Sequence, residues 1–222
     1  MSQSTPLVKG IYPILDAQWL EGAGPFGPWT DKARALVALD IAAANLPVLQ
    51  LRCKGDGRAA HDFMEPWIIQ LRKSAPSTAL IINDRVDLAL YFEADGVHMG
   101  QEDLPIHLCR RLLGPNRIIG LSTHSPQEIR HAAEETSANY LGFGPLFPTR
   151  SKQDTQSVQG IEALAEASRI SPLPLVAIGG IGLAQLATVK ATQVASAAMI
   201  SGLWSTKGEP QFVLAESLWQ KG

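Results

Sequence analysis

Two carboxylates set the chemical question in this chain. Asp84 follows the short apolar run 79–82 and Asn83, and Asp103 lies four residues past a second run, 96–99. The segment between them, 86–92, is apolar-periodic, as a crossover helix would be. If the two runs are neighbouring parallel strands, both carboxylates emerge at one edge of the sheet. Close carboxylates repel, so such a pair calls for a proton or a cation between them. Each residue alone also reads as the cap of the helix that follows.

A basic counterpart lies upstream in Gln50-Leu51-Arg52-Cys53-Lys54. Side chains alternate along a strand, so Gln50, Arg52 and Lys54 share one face, and Leu49, Leu51 and Cys53 the other. The apolar set suits packing on helices, which leaves the polar set for the mouth of the fold. Two cations held together need an anion. A phosphate or diphosphate would satisfy both, with Arg52 as a fork and Lys54 as a point charge. The alternative pairs Arg52 with a carboxylate of the chain, Asp16 or Asp84, and leaves Lys54 in water.

Other runs end in groups suited to a ligand. Gly120-Leu121-Ser122-Thr123-His124 offers room and a hydroxyl, but no G-x-S-x-G elbow that would make Ser122 a nucleophile. Gly142 and Gly144 precede a loop carrying Thr149, Arg150, Ser151 and Lys152. Gly179-Gly180 and Ile200-Ser201-Gly202 close the last two runs, and glycine there lets backbone approach an anion. His98 reads as an interior histidine with a satisfied hydrogen bond, since no second histidine stands at metal-ligand spacing from it.

These groups are positioned by eight strand-like runs, at 8–15, 48–52, 79–82, 96–99, 117–121, 139–143, 175–178 and 195–200. Helical patterns alternate with them, at 33–44, 61–73, 86–92, 106–113, from Ser125 on, 161–168, 183–191 and 211–219. Thr30 or Asp31 can cap the first helix, and Ser125-Pro126-Gln127-Glu128 has the pattern of a capping box. Eight βα units in 222 residues predict an α/β fold, a single (β/α)8 barrel of the TIM type spanning 1–222. Residues 1–8 form a polar lead-in, and a Gly/Pro-rich loop at 18–29 carries two tryptophans that could cover a site or pack on the barrel. An open doubly wound sheet is the competitor, but the first strand lacks a G-x-G-x-x-G turn. In a barrel, ligands bind at the C-terminal strand ends, and the loops after strands seven and eight commonly hold phosphate. The runs therefore predict two anion sites, one metal-assisted beside Asp84 and Asp103, one a backbone cradle at Gly180 and Ser201.

Bulk properties narrow the class further. Net charge is −2 with lysines and arginines scattered, which argues against nucleic acid and against a polybasic membrane surface. No apolar run approaches a membrane span of roughly 20 residues. Cys53 and Cys109 are far apart and outside any C-x-x-C motif, and 1–10 carries no signal peptide, so a cytoplasmic protein with two free thiols is expected. Small-molecule substrates are the expected partners, and a homo-oligomer is left open.

Six motifs together resemble the thiamine-phosphate synthase family: Q-L-R-C-K at 50–54, I-N-D-R at 82–85, A-D-G-V-H-M-G-Q-E-D at 94–103, G-L-S-T-H at 120–124, G-P-L-F-P-T-R-S-K at 144–152 and A-I-G-G-I at 177–181. The resemblance runs from about Tyr12 to Trp204. It implies a transferase that joins 4-amino-2-methyl-5-hydroxymethylpyrimidine diphosphate to 4-methyl-5-(2-phosphoethyl)thiazole, giving thiamine phosphate and diphosphate. It also implies that Asp84 and Asp103 hold Mg²⁺. Gln50, Leu51, Arg52, Cys53, Lys54, Asn83, Ser122 and Lys152 would hold the pyrimidine diphosphate. Thr149, Arg150, Ser151, Gly180, Ile200 and Ser201 would hold the thiazole phosphate. The implied chemistry is dissociative, with Arg52, Lys54, Ser122 and Lys152 stabilising the departing diphosphate and no protein nucleophile. Three departures from the family pattern stand out: Ser151 where threonine is common, Cys53 in place of a charged residue, and the long loop at 18–29. A thiazole tautomerase of the same fold and a non-catalytic thiamine-phosphate-binding protein are the rivals. The tautomerase would not need the full set of Asp84, Asp103, Arg52, Lys54 and Lys152, whereas the binding protein would keep the pocket.

Overall fold

A computed structural model describes residues 8–23, 29–134, 137–149 and 157–222, with no side-chain description at 22, 23 and 133. Eight parallel strands close into a barrel in sequence order: β1 (Gly10–Asp16), β2 (Val48–Arg52), β3 (Ala79–Asn83), β4 (Gly96–Met99), β5 (Ile118–Thr123), β6 (Tyr140–Phe143), β7 (Leu175–Ile178) and β8 (Ser196–Met199). The last strand pairs with the first, Gly10 opposite Ser196, so the sheet has no edge. The expected (β/α)8 barrel is therefore the fold.

Alternation along each strand divides the apolar residues into two layers. Leu49, Leu51, Ile82, Val97 and Leu141 point outward into a layer shared with the helices. Tyr12, Ile14, Val48, Ile81, Tyr140, Val176 and Ala198 fill the barrel itself. Both faces of the strands are covered, which is why these runs read as continuous apolar stretches.

The helices are α1 (Asp31–Ala43), α2 (Gly57–Ser74), α3 (Val86–Tyr91), α4 (Ile106–Leu113), α5 (Pro126–Glu134), α6 (Gly160–Ile170), α7 (Leu186–Lys190) and α8 (Phe212–Lys221). Thr30 rather than Asp31 caps α1, its hydroxyl taking the Ala33 N–H at 3.2 Å. Helix α2 begins four residues before the expected 61, because the Asp56 carboxylate accepts the Ala59 N–H at 2.9 Å and opens the helix there. Pro66 consequently sits in the middle of α2. It leaves the Asp62 carbonyl without its helical donor, and exposed Asp62 can turn to water instead. The capping box at α5 is shifted: Ser125 Oγ accepts the Glu128 N–H, but the Glu128 carboxylate accepts from His124 N, one residue before the expected partner. The helix expected at 183–191 divides into a 3₁₀ turn, Leu183–Gln185, and α7.

Both tryptophans flanking the 18–29 loop pack on the barrel. Trp19 stacks on Trp204 with ring centroids 5.7 Å apart, and Trp29 lies 5.1 Å from buried Trp67. Trp29 also donates to the Leu20 carbonyl at 3.2 Å. Residues 24–28 lie outside the described set. Among the described residues, no helix is long and apolar enough to cross a membrane, and Cys53 and Cys109 are both free thiols.

Candidate functional site

The C-terminal mouth of the barrel gathers four buried polar side chains. Asp16, Gln50, Arg52 and Asn83 are each at most 5% exposed, although all stand at or near the ends of β1, β2 and β3. Register explains their meeting, since Asp16 is paired with Arg52 across β1 and β2. Arg52 Nη1 forms a buried ion pair with the Asp16 carboxylate, so the internal partner considered for Arg52 is Asp16. The guanidinium is not exhausted by it, because its Nε is buried with no hydrogen-bond partner. Lys54, more than half exposed, lies 2.6 Å from the Asp84 carboxylate.

Asp84 and Asp103 come together at the ends of β3 and β4, as expected, and neither caps the following helix. The N-cap positions of α3 and α4 are Arg85 and Pro105, without side-chain capping. Asp84 adopts a left-handed φ of 60°, which aspartate tolerates better than most residues. Its backbone N–H bonds the His98 carbonyl at 2.9 Å and anchors it to β4. Asp103 is brought back to the mouth by a turn in which its carboxylate accepts the Gly100 N–H at 2.6 Å. Burial pushes the Asp84 carboxyl above its ordinary range; Lys54 opposes this and the neighbouring Asp103 carboxyl adds to it. Ionised Asp84 is thus under-compensated by the cation already present. No group of three or more His, Cys, Asp or Glu side chains placed to hold a metal ion occurs among the described residues. Two carboxylates are enough for Mg²⁺, which commonly takes one or two together with phosphate oxygens and water.

Beside this cluster the barrel holds two adjoining cavities. The outer one, an open cleft, is lined by Ser122, Thr149, Gly180, Ile200 and Ser201 among others. The inner one is smaller and is lined by Tyr12, Gln50, Asn83, His98 and Tyr140 among others. They share Ile178 and Ala198. Asn83 Nδ2 is buried without a partner, an arrangement that costs about 1–3 kcal/mol unless a ligand accepts from it. At Gly180 (φ 67°) a Cβ would meet the Pro148 carbonyl oxygen at 2.7 Å. The glycine is therefore required by the loop after β6, whose Phe147 N–H bonds the Gly179 carbonyl at 3.0 Å.

Of the residues singled out in the sequence, Gln50, Arg52, Lys54, Asn83, Asp84 and Asp103 thus collect on one side of the mouth. Ser122, Thr149, Gly180, Ile200 and Ser201 line the cleft. Leu51 is fully buried in the outer layer, and Cys53 packs against the same layer, so a ligand at the mouth could meet only their main chain. Arg150, Ser151 and Lys152 lie outside the described residues. Tyr12 and Tyr140 were not singled out by motif, nor was Asp16 placed in the site. Period-two alternation would have found them, since Tyr12, Ile14 and Asp16 share a face of β1, and Tyr140 and Gly142 share a face of β6.

Fold and mouth together define a (β/α)8-barrel protein with two adjoining polar-lined cavities and a carboxylate–lysine cluster at the strand ends. The chain belongs to the family described as thiamine monophosphate synthase (TMP-TENI), whose model matches residues 28–203. It is 49% identical over 121 residues to the thiamine-phosphate synthase of Myxococcus xanthus, covering 54% of this chain and 55% of that protein. It is 42% identical over 157 residues to the thiamine-phosphate synthase of Syntrophomonas wolfei, covering 70% and 74%. The aligned stretch thus spans little more than half the length of the first of these relatives. The solved thiamine phosphate pyrophosphorylase of Pyrococcus furiosus superposes with a TM-score of 0.74 at 27% identity, covering 96% of this chain and 95% of that one.

Proposed function

We propose that this chain is a thiamine-phosphate synthase, a transferase. It would move the hydroxymethylpyrimidine group from its diphosphate to 4-methyl-5-(2-phosphoethyl)thiazole. The observation that carries the reading is the Lys54–Asp84–Asp103 cluster, one residue along the chain from cavity-lining Asn83. A cation-and-anion pair of the size of magnesium diphosphate answers that cluster: the ion compensates Asp84 and Asp103, the phosphates compensate Lys54, and the unpartnered Nε of Arg52 gains an acceptor.

Asp84 and Asp103 would hold Mg²⁺, which supplies charge neutralisation on a diphosphate when bound. The residues do the rest. Lys54 and the open Nε edge of Arg52 donate to phosphate oxygens, and Ser122 donates from the opposite wall. Lys152, between β6 and α6 in the sequence, would add a further cation. Charge develops on the departing diphosphate as its bond to the pyrimidine methylene breaks, and fixed donors aimed there lower the barrier. The inner cavity offers the pyrimidine ring Asn83 Nδ2 as a donor and Gln50 beside it. The outer cleft, with Thr149, Gly180, Ile200 and Ser201, would hold the thiazole phosphate so that its nitrogen faces the methylene. Alignment of the two substrates replaces a protein nucleophile. Two free thiols fit a reducing compartment, and we place the reaction in the cytoplasm.

The test is an assay of the purified full chain with both phosphorylated substrates, with Mg²⁺ and with a chelator. Thiamine phosphate forming only with the metal is the expected result. No product under any condition would remove the synthase reading, and product formed equally well in the chelator would remove the metal from it.

A further inference from the structure

Five polar side chains from five strands join hand to hand across the barrel, ending at the cleft. Gln50 Nε2 donates to Tyr12 Oη at 3.1 Å. Tyr12 Oη lies 2.8 Å from Tyr140 Oη. Tyr140 Oη lies 2.9 Å from His98 Nδ1, and His98 Nε2 lies 2.9 Å from Ser122 Oγ. Gln50, Tyr12 and Tyr140 are no more than 3% exposed. Burial pushes the phenols of Tyr12 and Tyr140 above their ordinary range, so both keep their protons near neutral pH.

We propose that this is a one-way chain of donors that holds His98 with its proton on Nε2 and so turns the hydroxyl proton of Ser122 into the cleft. The direction follows from counting protons. Tyr12 accepts from the Gln50 amide, so its own proton has Tyr140 Oη as its partner. Tyr140 then gives its proton to His98 Nδ1. A neutral imidazole accepting at Nδ1 carries its proton on Nε2, and this donates to Ser122 Oγ. The serine, already an acceptor, has its own proton left for the cleft it lines. The reverse order leaves the buried Tyr12 hydroxyl proton without a partner, at a cost of about 1–3 kcal/mol. Gly120 makes the junction sterically open, since a Cβ there would come within 2.2 Å of the Tyr140 ring and 2.4 Å of His98 Nδ1.

Tyr12, Tyr140 and His98 are thus positioning residues, acting through Ser122. A serine free to rotate also presents its lone pairs to a phosphate and repels it; this one is fixed as a donor. The effect on turnover rests on the synthase reading above, whereas the tautomer does not.

Two measurements test the chain. Nitrogen NMR of the ¹⁵N-histidine-labelled wild-type protein should show His98 with its proton on Nε2 and a bare Nδ1, whether or not the protein turns over. A proton on Nδ1 would overturn the proposal outright. Tyr140→Phe removes the donor to Nδ1 while keeping the ring. It should let both tautomers appear and lower kcat by about 10- to 100-fold, by analogy with removal of the partner that orients a metal-bound histidine. The KM for the thiazole phosphate should stay unchanged. A single Nε2–H tautomer persisting in Tyr140→Phe would assign its control to something other than this chain and overturn the proposal. If wild type makes no thiamine phosphate, the synthase reading fails while the NMR result still decides the chain.

Discussion

Lys54 places its ammonium 2.6 Å from the Asp84 carboxylate, at the point of the barrel mouth where Asp103 comes alongside. One lysine therefore faces two carboxylates, and burial outweighs it at Asp84. The site carries negative charge that its own residues do not fully answer, and the first prediction comes from that imbalance.

A carboxyl whose folded pKa is raised takes up protons on folding. Its ionisation therefore costs stability, and that cost appears as pH climbs from the ordinary carboxylate value of about 3.9 through the raised value. Asp84→Asn mimics the protonated form, and asparagine tolerates the left-handed φ of 60°. The variant should melt above the wild type at pH 7, and the gap should close as pH falls to about 3.9. Thermal melts across that range would show it. A wild type more stable than the variant at neutral pH would mean that the Lys54 ion pair, not burial, governs Asp84.

The Asp16–Arg52 pair has the opposite character, being buried and mutually compensated. Asp16→Ala strands the Arg52 charge and removes the acceptor of the Trp19 N–H. A loss of about 3–5 kcal/mol in denaturant unfolding is expected, the range for removing one partner of a buried pair. A loss under about 1 kcal/mol would place Arg52 in contact with solvent.

Gly180→Ala tests the packing of the loop after β6 on the loop after β7. The left-handed backbone costs a non-glycine residue about 1–2 kcal/mol, and the contact with the Pro148 carbonyl adds to it. Denaturant unfolding should register at least that loss. A neutral substitution would show that the two loops are not held against each other.

Much of this fold was legible from its sequence because strand, crossover helix and strand recur with clear boundaries. Helix α4 and strands β2, β4 and β7 match their expected limits residue for residue. Two limits moved for a visible reason: the Asp56 cap starts α2 early, and polar Ser122 and Thr123 extend β5 by main-chain pairing with Gly142 and Phe143. The meeting of Asp84 with Asp103 was also legible, since neighbouring parallel strands bring their ends to one edge. The Tyr12–Tyr140 contact was not. It joins β1 to β6, which are not neighbours, and depends on the closed barrel bringing opposite walls together. Local periodicity says which face a side chain occupies, not which residue stands across the barrel.

The central claim is that Asp84 and Asp103 hold a cation for a bound diphosphate, and calorimetry with inorganic diphosphate tests it without needing turnover. Wild type should bind diphosphate with Mg²⁺ at least about tenfold more tightly than in a chelator, a coupling of about 1.4 kcal/mol. The Asp84→Asn, Asp103→Asn double variant should lose that difference. Diphosphate binding that is equally tight with and without Mg²⁺, or a metal effect undiminished in the double variant, would contradict the account.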